Sequence, residues 1–302
     1  MNSGMEATIA GVTLKNPVTT ASGTFGSGRE YGELIDLNRL GAVTVKGVSG
    51  EAWIGNPVPR IAETQSGMLN SIGLQNAGAE YFIENDIPFL RQYDTKIIVN
   101  ICGHTLTQYC SVAEKLADCD IDLLELNISC PNVEEGGLSF GTDPHVVERV
   151  VHTVRNYAKQ PLIVKLSPEV SDITEIAKAA VSGGADAISL INTLRGMKID
   201  IHKRKPVLAN KIGGYSGPGI MPVALRMVYE VCHSVDVPVI GMGGISTFED
   251  ALEFIMAGAE AVAVGTANFH NPYASIEIID GICQYMKENL ISSLAEIRGC
   301  VD

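Results

Sequence analysis

The feature that most constrains this chain is a rhythm of short apolar runs separated by longer stretches. Eight runs lie at 17–20, 42–46, 97–101, 123–128, 162–166, 187–191, 237–241 and 261–265. Seven of the eight read as continuous rather than alternating, the mark of strands buried on both faces. Between them, amphipathic segments at 107–117, 144–158, 174–182, 221–233, 247–256 and 276–289 carry apolar residues at helical spacing. Eight β–α units in 302 residues predict an α/β fold, a single (β/α)8 TIM barrel occupying 1–302 as one domain and closed by the final helix. Residues 7–16 alternate around Gly11 and predict a short N-terminal β-hairpin ahead of the barrel. A doubly wound open sheet is the alternative. It is weakened because no GxGxxG follows the first run.

In such a barrel the chemistry collects at the C-terminal ends of the strands. The first run is followed by Ala21-Ser22-Gly23, where the backbone can approach a flat ligand closely. The second ends in Lys46 and the third in Asn100. The fourth ends in Asn127, followed by Ser129, Cys130, Pro131 and Asn132 and then the acidic, glycine-containing stretch 134–137. The fifth ends in Lys165 and the sixth in Ile191-Asn192-Thr193. A lysine closing an apolar strand is costly to bury unless it meets an anion or an electron-rich ligand. Cys130 has two readings, the thiol of an active site or a small buried residue in a turn. The two longest connections, 47–76 (with Asn70) and 192–220 (with Gly217), fall on the same face as Cys130 and have the length of binding loops.

Glycine-rich turns follow the last two strands, Gly241-Met242-Gly243-Gly244 and Gly265-Thr266. Tight βα turns alone would use glycine here. The position after strands seven and eight is also where barrels hold phosphate, on backbone N–H groups and a helix N-terminus. A phosphate cup, two lysines and a ring of amides (Asn70, Asn100, Asn127, Asn192) suit a planar ligand with carbonyl and N–H groups, because each amide both donates and accepts. No Ser-His-Asp set and no paired carboxylates stand among these positions. That set points to a bound phosphorylated cofactor rather than hydrolysis.

Composition narrows the partners. A net charge of −13 makes duplex nucleic acid and anionic membranes poor partners. The one basic run, 202–205, is short. Seven cysteines without a pairing pattern predict reduced thiols in the cytoplasm. Without CxxC or HExxH spacings, no metal or iron–sulfur site is expected on this chain. The N-terminus shows no export signal, and no apolar stretch is long enough to span a bilayer.

The motif Asn127-Ile128-Ser129-Cys130-Pro131-Asn132 resembles the signature of class 1 dihydroorotate dehydrogenases, FMN-containing TIM barrels. The likeness continues through ASGTFG (21–26), TVKGV (44–48), VKLSP (164–168), INT (191–193), GMGG (241–244) and AVGTANF (263–269). The block GNPVPRIAETQSGMLNSIGLQN (55–76) is similar to the NAD-linked subfamily, class 1B. This resemblance implies oxidation of (S)-dihydroorotate to orotate in pyrimidine synthesis, with Cys130 as general base and FMN as hydride acceptor. It implies that Lys46, Asn70, Ser71, Ile72, Gly73, Leu74, Asn127, Asn132, Asn192 and Thr193 bind substrate. Ser22, Val45, Lys46, Asn100, Asn127, Lys165, Ile191, Gly217, Gly243, Gly244, Gly265 and Thr266 would bind FMN, and the loop 130–141 would gate the site. It also implies a homodimer at the core of a heterotetramer, with an electron-transfer subunit carrying FAD and a 2Fe–2S cluster. Competing readings are a dihydropyrimidine dehydrogenase-type flavoprotein, a flavin-free barrel lyase or aldolase with Lys165 as Schiff base, and a non-catalytic binding subunit.

Overall fold

In the computed structural model, which describes residues 4–128 and 140–301, the eight apolar runs close into a barrel. Its strands are β1 (Val18–Thr20), β2 (Ala42–Thr44), β3 (Lys96–Ile101), β4 (Leu123–Asn127), β5 (Leu162–Lys165), β6 (Ala187–Leu190), β7 (Val239–Met242) and β8 (Ala261–Val264). They follow one another in chain order around the barrel, each parallel to its neighbours, and β8 pairs with β1. The TIM-barrel expectation holds. Strand β2 is shorter than the apolar run suggested. Val45 N–H still reaches the Ile98 carbonyl at 3.0 Å, the Lys46 N–H turns to Gly26 in the loop after β1, and pairing with β3 resumes only at Val48, whose N–H donates to the Asn100 carbonyl at 2.8 Å.

Because side chains alternate along a strand, each run splits between two cores. Ile97, Val99, Leu124, Leu126, Val164 and Ile188 belong to the large core between barrel and helices. Ala42, Ile98, Leu123, Ile163, Ala187, Ile240 and Ala261 form an apolar layer with Ala7, Ile9 and Leu14 of the N-terminal hairpin. The hairpin therefore plugs the barrel end where the strands begin. Its strands, Ala7–Ile9 and Val12–Leu14, pair antiparallel through a two-residue turn, Ala10-Gly11, with positive φ at both residues, as a tight hairpin requires. Complete burial of Ile9 and Leu14 contributes on the order of 1.5–3 kcal/mol each. Two residues further along the strands, the buried positions turn polar: Asn100, Glu125, Lys165 and Ser189. The floor of the opposite mouth is thus built from hydrogen-bonding groups.

Helix starts fix how each strand end is presented. Thr105, Asp143, Asp172 and Thr247 cap the helices Leu106–Leu116, Pro144–Arg155, Ile173–Ser182 and Phe248–Met256, and Asp250 completes a capping box with Thr247. The two long connections are not irregular loops. Ile61–Thr64 and Gly67–Asn70 from the connection after β2 join Leu194–Met197 and Ile212–Ser216 from the one after β6 in a four-stranded antiparallel sheet. No helix among the described residues is long and apolar enough to cross a membrane.

Candidate active site

A cavity of about 940 Å³ opens at the C-terminal mouth of the barrel. Every barrel strand, or the residues just after it, contributes to its wall, and the four-stranded sheet adds Ile61, Ala62, Met68, Asn70 and Ser216. The volume lies near the upper end for small-molecule sites, enough for a cofactor and a small substrate together.

On the floor, Asn100 is almost completely buried and its Nδ2 donates to Glu125 Oε2 at 2.6 Å. The other carboxylate oxygen, Oε1, accepts from Ser189 Oγ at 2.7 Å. Asn100 Oδ1 is buried without a hydrogen-bond partner, as is Ser71 Oγ on the wall. Unpartnered buried polar atoms cost free energy unless a ligand satisfies them. Lys165, also buried, donates to Ser22 Oγ at 3.3 Å, joining the ends of β5 and β1. Burial pushes the Lys46 ammonium below its usual pKa, and nearby Arg60 pushes the same way, while Cys102 opposes both. A desolvated ammonium is prepared for an anionic ligand.

At the other end of the cavity three glycines hold backbone conformations that side chains rarely adopt: Gly217 (φ 105°), Gly243 (φ 131°) and Gly244 (φ 83°). A Cβ on Gly243 would sit 2.6 Å from Ala224 Cβ, and one on Gly244 would sit 2.7 Å from Met221 Cβ. Main chain rather than side chain must therefore form this wall, as a phosphate site needs. Thr266 Oγ1 donates to Ser216 Oγ at 2.8 Å and ties the loop after β8 to the sheet. Two orphaned polar atoms, two lysines and a glycine cradle fit FMN, a flat heteroaromatic ring system carrying a phosphate.

The cavity brings together nearly all the residues expected from the sequence. Ser22, Lys46, Asn100, Lys165 and Ile191 lie around the barrel mouth, and Gly217, Gly243, Gly244, Gly265 and Thr266 lie toward the cradle. Asn70, Ser71, Ile72, Gly73 and Leu74 line the side formed by the connection after β2, and Asn127, Asn192 and Thr193 line the same cavity. Val45 does not line it. Strand alternation turns its side chain away from the face of Lys46 and into the outer core. Cys130, Asn132 and most of the loop 130–141 lie outside the described residues. Among the polar groups not expected are Glu125, beneath the cavity floor, and His104 on its wall. Glu125 was hidden inside an apolar run, and its one signal was a charge in a fully buried strand. His104, stacked on Trp53 with ring centroids 4.1 Å apart, lines the cavity and had no signal beyond its proximity to Asn100. Among the described residues, no group of three or more His, Cys, Asp or Glu side chains is arranged to hold a metal.

Comparison with known proteins agrees with this geometry. The family model for dihydroorotate dehydrogenase matches residues 4–286. A protein of Alkaliphilus metalliredigens, named dihydroorotate dehydrogenase B (NAD(+)), catalytic subunit, is 70% identical over 295 residues, covering 98% of each chain. Proteins of the same name from Alkaliphilus oremlandii and Lachnoclostridium phytofermentans are 68% and 63% identical; the alignments cover 96% of each chain, and 97% of this chain with 98% of the relative, respectively. With its barrel, its cavity and a match over nearly its whole length, this chain belongs to the dihydroorotate dehydrogenase family.

Proposed function

We propose that this chain is the catalytic subunit of an NAD-linked dihydroorotate dehydrogenase, oxidising (S)-dihydroorotate to orotate in pyrimidine synthesis. The observation that carries the reading is one cavity that gathers Lys46, Lys165, the amides Asn70, Asn100, Asn127 and Asn192, and the glycine cradle. Amides match the imide edge of a pyrimidine, an ammonium matches its carboxylate, and glycine backbone matches a cofactor phosphate.

In this reading Ser22, Asn100, Lys165, Ile191, Gly217, Gly243, Gly244, Gly265 and Thr266 hold FMN, which supplies the hydride acceptor when bound. Lys46 attracts the substrate carboxylate. Asn70, Asn127, Asn192 and Thr193 orient the ring, with residues 71–74 closing one side and Asn132 adding a further amide. Cys130 Sγ removes the proton from carbon 5 of the substrate. A thiol of ordinary pKa, about 8.5, is only a few per cent ionised at neutral pH, so this step gains from higher pH.

Electrons leave through a second subunit that carries FAD and a 2Fe–2S cluster, in a heterotetramer built on a homodimer of this chain. The relatives' names, each a catalytic subunit linked to NAD(+), support a separate partner subunit. A cytoplasmic setting accords with seven cysteines in no disulfide pattern.

Anaerobic titration of the purified chain with dihydroorotate tests the reading. The visible absorption of bound flavin should bleach. A yellow protein that stays oxidised with dihydroorotate but bleaches with dihydrouracil would overturn the substrate, and a colourless protein that takes up no added FMN would overturn the cofactor as well.

A further inference from the structure

Among the described residues, Glu125 is the one carboxylate buried in the barrel floor, and it has no place in the mechanism above. It sits in the middle of β4 and is 2% exposed. Isolated burial of a carboxylate is costly, and a strand here would be served as well by valine. Its neighbours explain its presence. In the ladder Asn100 on β3 stands directly opposite Glu125. The Asn100 amide nitrogen donates to Oε2 at 2.6 Å, and the Ser189 hydroxyl on β6 donates to Oε1 at 2.7 Å. The carboxylate thus spans the barrel interior from β3 to β6.

An asparagine amide can turn over and exchange its donor for its acceptor at little intrinsic cost. A carboxylate accepts only. With Glu125 holding Nδ2, the amide has one orientation, and Oδ1 is left as a buried acceptor without a partner at the cavity wall. Gly47 keeps that space open, since a Cβ there would come within 3.1 Å of Oδ1.

We propose that Glu125 is a positioning residue: it locks the Asn100 amide so that Oδ1 presents an acceptor to an N–H of the bound cofactor. This inference rests on the FMN reading. It gives the orientation of Asn100 a cause in a residue that touches neither cofactor nor substrate. Ser189 is the second anchor, holding the carboxylate so that it cannot rotate away from Asn100.

The test measures FMN binding to the flavin-stripped chain by quenching of FMN fluorescence. Four proteins are compared with the native chain: Glu125→Leu, Glu125→Gln, Asn100→Ala and the double variant Asn100→Ala/Glu125→Leu. Glutamine can accept from Asn100 Nδ2 with its carbonyl while its amide donates to Ser189 Oγ, and if the two amides turn over together FMN selects the native orientation at a cost of about twofold. Glu125→Gln should therefore bind FMN within about threefold of the native chain. Glu125→Leu should weaken binding at least about fivefold, the scale of one mis-set buried hydrogen bond. In the Asn100→Ala background the Glu125→Leu change should have no further effect. A Glu125→Gln chain that folds with native thermal stability yet loses as much FMN affinity as Asn100→Ala would overturn the proposal, because it would assign the role to charge. Equal losses from Glu125→Leu with and without Asn100 would overturn it too. If the native chain binds no FMN, the flavin reading itself fails; if it binds FMN and the Glu125 variants match it, only this inference fails.

Discussion

The Tyr109 hydroxyl donates a 2.7 Å hydrogen bond to the main-chain carbonyl of Asn127, the last residue of β4, and Tyr109 is fully buried. A side chain from the helix that follows β3 thereby fixes the point where β4 delivers its amide to the cavity. The same helix is held by its Thr105 cap, so the strand end and the helix start are registered against each other.

Replacing Tyr109 with Phe removes that donor from a buried main-chain carbonyl. Loss of about 1–2 kcal/mol of stability is expected, read as a lower midpoint in urea unfolding with an unaltered slope. FMN binding should weaken less than stability does, because Tyr109 does not line the cavity. An unchanged midpoint would show that the bond contributes nothing net.

Lys46 makes orotate binding depend on pH in a stated direction. Its ammonium is held below the usual lysine pKa, chiefly by burial. A carboxylate ligand binds the charged form, so affinity should be flat at low pH and fall as pH rises through the ligand-free pKa of Lys46. Fold stability runs the other way. Without ligand, the unfolded chain binds the proton more tightly, so stability rises with pH across the interval between the lowered pKa and about 10.4. Calorimetric titration with orotate from pH 7 to 10 checks the first trend. Lys46→Met should remove that pH dependence and cost roughly 10- to 100-fold in affinity.

The glycine cradle predicts a selective loss of phosphate recognition. Gly244→Ala places a Cβ 2.7 Å from Met221 Cβ and 3.0 Å from the Gly217 carbonyl, at a φ of 83°. Strain of this kind costs about 1–3 kcal/mol. Affinity for FMN should fall by an order of magnitude or more, while affinity for riboflavin, which lacks the phosphate, falls much less. Equal losses for both ligands would place the phosphate elsewhere.

Cys130 sets the rate profile if it is the base. Turnover should climb with pH until the thiol ionises and then level off. Cys130→Ser should lose most turnover yet retain yellow colour, since serine is a far weaker base near neutral pH. A flat profile from pH 6 to 9 would remove Cys130 from that role.

Much of this was legible in the linear chain, because the properties involved are local. Continuous Val/Ile/Leu runs mark strands covered on both faces whatever their neighbours are. Residues at the ends of such runs share one face of a barrel by topology alone. Lys46, Asn100, Asn127, Lys165 and Asn192 could therefore be assigned to one site without knowing a single distance. Glycine at 243 and 244 announced a backbone-walled turn for the same local reason.

Only the tertiary structure decided the rest. The residues 61–70 and 194–216 pair across more than a hundred positions of sequence, and nothing in either segment names its partner. Val45 was assigned to the site beside Lys46, yet a strand's period of two sends neighbours to opposite faces, and only the closed barrel shows which face is inside. Glu125 lies within the run 123–128, which reads simply as a buried strand. Its meaning depends on Asn100 and Ser189 arriving from β3 and β6 within hydrogen-bond reach, a meeting that the folded chain alone brings about. Sequence determined the order of strands and the face that carries chemistry, because periodicity and composition act along the chain; the pairing and orientation of polar groups were decided by closure, because those depend on contacts between distant segments.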